Sequence, residues 1–242
     1  MEGRNAVLEV LKSGHEIEKI YVQKDNIEGT IKKIVSIARE KGVVVQEVAK
    51  QKLNEISQTN NHQGIIALVS AYPYAETDDI LALAAQKGED PFIVILDEIT
   101  DPHNVGAIIR SVEASGAHGV IIPKRRQAGL TATVGKASAG AVEHVLISKV
   151  TNIVSTIDEL KKKGLWIACA DMDGEIYYKS NLTGPLAVVI GSEGSGVSRL
   201  VKEKCDFTVS IPMYGEISSL NASVAAALLM YEAVRQKKFK QI

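Results

Sequence analysis

Apolar positions change their spacing several times along the 242-residue chain, and each change predicts an element. From residue 91 onward short, largely apolar runs recur: Phe92 to Leu96, Gly119 to Ile122, His144 to Ile147, Leu165 to Ala168, Leu186 to Ile190 and Phe207 to Ile211. Runs of this kind read as strands buried on both faces, and the helical segments between most of them predict a parallel sheet covered by helices. The last segment is helical by spacing, with Leu220, Val224, Leu228, Tyr231 and Val234 in one series and Ala222, Ala226, Leu229 and Ala233 in another. Pro212 stops the strand before it, and the polar loop between them offers Ser218 or Ser219 as N-cap. A similar turn lies upstream, where Gly191, Gly194 and Gly196 surround Glu193 and Ser198 opens a short helix. Strand end, polar loop and helix start together aim backbone N–H groups at a ligand.

The first 72 residues alternate differently. Helices are predicted over Asn5 to Lys12, Thr30 to Lys41 and Gln51 to Ser57, and strands over Ile17 to Val22, Val43 to Val48 and Gly64 to Val69. That is a small α/β unit, nearly neutral, with ten basic and nine acidic side chains. Residues 73 to 90 carry five acids against one Lys and lie between Pro73 and Pro91, which predicts an acidic linker with one helix over Asp78 to Gln86. The expected domains are therefore 1–72 and 91–242.

Composition narrows the partners. The chain is 45% hydrophobic and 24% charged, with a net charge of −1, so any contact with nucleic acid must come from a local patch. Two cysteines, Cys169 and Cys205, form no framework, and the five histidines show no metal-ligand spacing, so no metal is expected. The opening residues lack the apolar core of a signal peptide, and the longest apolar run is too short to span a bilayer, so the expectation is a cytoplasmic protein with no membrane association.

Candidate chemistry sits in three segments. The glycine loop at 191–198 has no Lys where a P-loop needs one, and no dinucleotide fingerprint follows an early strand; a tight turn needing positive φ is its plainest reading. Asp97 to Gly116 predicts a helix with Pro102 near its start and Gly116 as left-handed C-cap. Its Asn104, Gly106 and Arg110 are not what a plain amphipathic helix requires: Gly106 points to close backbone approach, and Arg110 is either a ligand for an anion or a solvated side chain. Lys124, Arg125 and Arg126, with Lys136, form the candidate phosphate-contacting surface.

Taken together, DPHNVGAIIR, IGSEGSGVS and IPMYGEISSLNASVAAAL resemble, in order, the three motifs of the SpoU (TrmH-like) RNA ribose 2′-O-methyltransferases of the SPOUT superfamily. GRNAVLEVL at the start resembles the L30e/L7Ae-like RNA-binding domain that RlmB-type members of that family carry. The resemblance implies a parallel sheet with a trefoil knot and transfer of a methyl group from S-adenosylmethionine to a ribose 2′-OH. It places cofactor contacts at Gly191, Ile211, Leu220, Met213 and Ser219, and catalytic roles at Arg110, Asn104, Glu193, Ser219 and Asn221. It also implies an RNA partner, a guanosine of 23S rRNA first and tRNA second, and a homodimer through the C-terminal domain. A non-catalytic RNA-binding protein is the remaining alternative. Arg110 is expected to hold a phosphate by a two-pronged hydrogen bond rather than to act as a base, because guanidinium stays protonated.

Overall fold

The computed structural model describes residues 1–24 and 27–239. They divide into two compact units, one of residues 1–24 and 27–73 with 129–131 and one of residues 74–128 with 132–239. The first unit contains α1 (Arg4–Ser13), β1 (Ile17–Gln23), α2 (Gly29–Glu40), β2 (Val45–Val48), α3 (Lys50–Ile56) and β3 (Ile65–Val69). Its sheet runs β2-β1-β3, with β1 parallel to β2 and antiparallel to β3. Val7, Leu11, Ile31 and Ile34 from the helices close over Ile20, Val22 and Ile65 to form its core.

The second unit begins with α4 (Thr77–Lys87) and β4 (Phe92–Asp97). It continues through α5 (Pro102–Ser115), β5 (Gly119–Pro123), α6 (Ala132–Ala137), β6 (Leu146–Val150), α7 (Ile153–Lys162) and β7 (Trp166–Ile176). β8 (Leu186–Gly191), α8 (Arg199–Lys204), β9 (Phe207–Ser210) and α9 (Ala222–Lys238) complete it. The sheet order is β6-β5-β4-β8-β7-β9, and every pairing is parallel. The all-apolar runs are indeed buried on both faces, with β4 buried at every position.

Three local features depart from the expectations. The acidic stretch forms its helix, α4, but Ile80 on that helix belongs to the buried core of the second unit, so the stretch is an element of that unit. β7 runs eight residues past the predicted end at Ala168. Its pairing to β9 shifts between Ala170 and Glu175, and the polar residues Asp171 to Gly174 that resemble a turn occupy this bulge. A Cβ at Gly174 would meet the Thr208 carbonyl carbon at 2.5 Å, so the bulge presses directly on the β9 backbone. The third departure is the start of α9, which lies at Ala222 rather than near Leu220. Its N-cap is Asn221, not Ser218 or Ser219: the Asn221 side-chain oxygen accepts from the Ser223 and Val224 amides at 2.9 and 3.4 Å.

α5 follows the expected design. Asp101 caps it by accepting from the His103 amide at 2.9 Å, Pro102 occupies its first position, and Gly116 at φ 73° ends it. The glycine inside it lets α6 approach: a Cβ at Gly106 would lie 2.9 Å from both the Val134 carbonyl oxygen and the Ser138 amide. The close approach expected at Gly106 is thus to a neighbouring helix.

Candidate active site

β8, β7 and β9 are neighbours in the sheet, and their C-terminal ends open onto a cavity of about 300 Å³. Ligands of open α/β sheets bind outside the carboxyl ends of the strands, and this volume is at the lower bound for small-molecule pockets. Ile190, Val209, Ile211 and Leu229 supply apolar walls, while the 191–196 loop and the 218–220 segment supply backbone polar groups. Gly191, Ile211, Met213, Ser219 and Leu220 all line it, as does Glu193.

The glycine loop is held closed by its own backbone, with Ser192 and Gly196 exchanging hydrogen bonds of 3.1 and 2.9 Å. Gly194 at φ 91° and Gly196 at φ 65° are turn glycines in the left-handed region. Gly191 has another function: a Cβ there would collide with the backbone of Gly196 and Val197. The glycine lets the loop fold on itself, and only through that fold shapes the cavity. Ser198 of the following turn donates its amide to the buried Asp97 carboxylate at 2.7 Å, tying the loop to the end of β4.

One residue from each motif meets at the edge of this cavity. Asn104 and Asn221 both donate to Glu193 Oε1, at 3.0 and 2.5 Å, and the Ala222 amide donates to the same oxygen at 3.4 Å. Asn221 Nδ2 also donates to Asn104 Oδ1 at 2.9 Å. The three side chains form a closed triangle linking α5, the glycine loop and the start of α9, and Asn104 is only 6% exposed. Because Asn221 also caps α9, the triangle fixes the loop that forms one wall of the cavity.

Arg110 lies apart from these residues. It is exposed on α5, does not line the cavity, and makes no hydrogen bond or ion pair among the described residues. Its guanidinium is open to a ligand from outside. Lys124 and Arg125 are likewise exposed, whereas Arg126 pairs with Glu98 at 3.0 Å.

Asp171 and Met172 also line the cavity, and no motif pointed to them. Lys202 holds Asp171 at 2.9 Å. Burial pushes the Asp171 carboxyl up, but the hydrogen bonds from Lys202 and the Asp173 amide outweigh burial and keep it below the usual carboxylate range. Only the bulge in β7 brings this carboxylate to the wall, so its position depends on a sheet register that residue spacing cannot reveal.

The lining suits S-adenosylmethionine: an apolar slot for an adenine, backbone groups for polar edges, and the carboxylate of Asp171 for a cationic ligand. A parallel α/β unit with a cavity at its strand ends, joined in sequence to a small α/β unit, fits a cofactor-binding enzyme. Residues 91–231 match the model of the SpoU rRNA methylase family, and residues 1–75 match that of the RNA 2′-O ribose methyltransferase substrate-binding domain. The chain belongs to the SpoU family of RNA methyltransferases, which use S-adenosylmethionine. It is 48% identical to YacO of Bacillus subtilis (strain 168), assigned to the TrmH family of tRNA/rRNA methyltransferases, over 97% of this chain and 94% of that one. The SpoU methyltransferase AviRb from Streptomyces viridochromogenes, solved with AdoMet, matches 98% of this chain and 89% of its own, at 26% identity and a TM-score of 0.62. The A. aeolicus TrmH/SpoU tRNA modifying enzyme matches 61% of this chain and 76% of its own, at 32% identity and a TM-score of 0.56. Among the described residues no His/Cys/Asp/Glu group could hold a metal ion, and no helix is long and apolar enough to cross a membrane.

Proposed function

We propose that the protein methylates the ribose 2′-OH of a guanosine in 23S rRNA. The observation that carries the reading is the Asn104–Glu193–Asn221 triangle at the edge of the strand-end cavity, which joins all three motifs in one place. Bound in that cavity, S-adenosylmethionine supplies a methyl group already activated by its sulfonium.

The chain's own residues then bind, orient and exclude. Ile211 and Leu220 accept the adenine face, and the 191–196 loop supplies backbone groups. Arg110, free of protein partners among the described residues, takes an RNA phosphate in a two-pronged hydrogen bond and so positions the adjacent ribose. Glu193 positions as well: one of its oxygens already accepts three N–H groups, so the carboxylate is committed to holding the triangle together. The ribose proton passes to water or to a phosphate oxygen. Ser219 lines the cavity and orients the motif 3 loop.

The reading includes the family's trefoil threading of the C-terminal segment, cytoplasmic residence and a homodimer. Support for the dimer comes from α9, where Val224, Leu228 and Tyr231 are 47%, 39% and 51% exposed in a single apolar stripe. Tyr231 leans on α5, its hydroxyl 3.5 Å from the Ala114 carbonyl, one turn from Arg110. A two-fold pair formed over that stripe brings Arg110 to the interface.

Transfer to tRNA is the second reading, favoured by the likeness to the tRNA modifying enzyme of A. aeolicus. Mapping ribose methyls in rRNA and tRNA of a strain lacking the protein separates the two. Loss of one 23S guanosine methyl is expected, and loss confined to tRNA overturns the rRNA assignment.

A further inference from the structure

A second cavity, of about 980 Å³, is lined by residues of the first unit alone and is at the upper end for ligand pockets. It lies between the start of α1, the end of β1, the start of α3 and the 60–64 segment before β3. Among the described residues no Asp or Glu lines it, while Arg4 and Lys50 both do. Lys50 has no partner among the described residues, and Arg4 uses only its Nε, donating to the Gln63 carbonyl at 3.3 Å. The remaining rim is carboxamide: the side chains of Gln23, Asn60 and Asn61 make no hydrogen bond among the described residues.

The rim is rigid. Glu2 accepts from Ser57 Oγ, the Gln58 amide and Thr59 Oγ1 at 2.7, 2.6 and 2.6 Å, clamping the loop from behind. His62 is buried and spans the loop, accepting from the Gly64 amide at 3.0 Å and donating to Asn54 Oδ1 at 2.9 Å. Asn60 and Gln63 are held at φ 58° and 50°, in the left-handed region.

We propose that this cavity is the recognition pocket for a short unpaired run of the RNA substrate, read by carboxamides at the base edges and by Arg4 and Lys50 at the phosphates. Two cations in a lining that holds no described Asp or Glu favour a polyanion. Free carboxamides offer a donor and an acceptor together, as a base edge requires. No aromatic ring lines the cavity, so bases enter edge-on and keep their stacking within the RNA. Pairing occupies the Watson–Crick edges of a duplex, so unpaired RNA is favoured over duplex. The proposal rests on the RNA-methyltransferase reading above and names where its substrate is selected.

The test uses the full chain with two variants. Lys50→Ala removes a cation from an exposed site, and Asn60→Gly removes a carboxamide where glycine relieves the left-handed backbone. The probes are transcripts of the 23S peptidyl-transferase region and of tRNA, and a fully paired RNA duplex. Each variant is expected to bind its preferred transcript about tenfold more weakly. Thermal midpoint, S-adenosylmethionine affinity and duplex affinity should stay unchanged. Unchanged transcript affinity in both folded variants overturns the pocket, as does an equal loss on duplex. If the wild-type protein still methylates RNA in that case, the pocket alone fails. A wild-type protein that binds and methylates no RNA overturns the functional reading as well.

Discussion

At the scale of single residues, the three motif side chains divide their work by what already occupies them. Glu193 Oε1 accepts three N–H groups, and a glutamine oxygen could accept the same three. Glu193→Gln is therefore expected to keep most methyl transfer, whereas Glu193→Ala should free Asn221 and weaken S-adenosylmethionine binding on calorimetry. Loss of transfer in Glu193→Gln with cofactor binding intact would make Glu193 the base and contradict the positioning role. Gly191 teaches a different lesson. Its glycine is needed for the loop's own packing, so Gly191→Val disturbs the loop at a cost of about 1–3 kcal/mol and does not probe ligand approach alone. His118 is buried, with Nδ1 accepting from the Phe92 amide at 3.0 Å and Nε2 donating to Glu89 at 3.1 Å. Burial pushes its pKa below the ordinary 6.5, so under acid the unfolded chain binds a proton that the folded chain refuses. Thermal stability should fall as pH drops from 7 to 5, and His118→Asn should flatten that slope. An unchanged slope would remove His118 as its source. Asn104 and Arg110 were legible in the sequence as side chains that a plain amphipathic helix does not need, and Glu193 and Asn221 through the resemblance of their motifs. Their grouping was not, because Asn104 and Asn221 are 117 residues apart and only the sheet brings them together.

At the scale of elements, apolar periodicity located most strands and helices because burial on both faces leaves no polar position in a run. It failed where a polar residue serves the backbone. Asn221, read as part of the motif, is the cap, because its side chain accepts the first free amides of α9. The strand was expected to end at Ala168 because the polar and glycine residues after it break the apolar run, and so the carboxylate of Asp171 at the cavity wall went unseen. The two faces of α9 were both visible in the spacing; which one turns inward required the packing. Ala222, Ala226, Leu229 and Ala233 are buried, while Val224, Leu228 and Tyr231 face out. Leu228→Asp should leave the fold intact, since the side chain is outside the core, and should shift the protein to monomer in light scattering at micromolar concentration. A variant that stays dimeric, or a wild-type monomer with full activity, would place the interface elsewhere.

At the scale of the whole molecule, the chain combines a unit with a strand-end cavity and a unit with a polar cavity lined by Arg4 and Lys50. The net charge of −1 conceals this, because basic residues without an acidic partner among the described residues lie at Arg4 and Lys50 in one unit and at Arg110, Lys124 and Arg125 in the other. Composition could therefore exclude a broadly basic nucleic-acid binder but could not find the patches. The central claim is that methyl transfer occurs at the strand-end cavity of β8, β7 and β9, with Arg110 presenting the RNA to it. Single-turnover transfer of labelled methyl from S-adenosylmethionine to the RNA tests this most directly, run beside calorimetry of cofactor binding. The account predicts that Arg110→Ala loses transfer by about a hundredfold or more while its cofactor affinity matches wild type, and that Arg110→Lys recovers little because the fork is gone. Wild-type rates in Arg110→Lys, or a loss of cofactor affinity that parallels the loss of transfer in Arg110→Ala, would contradict it.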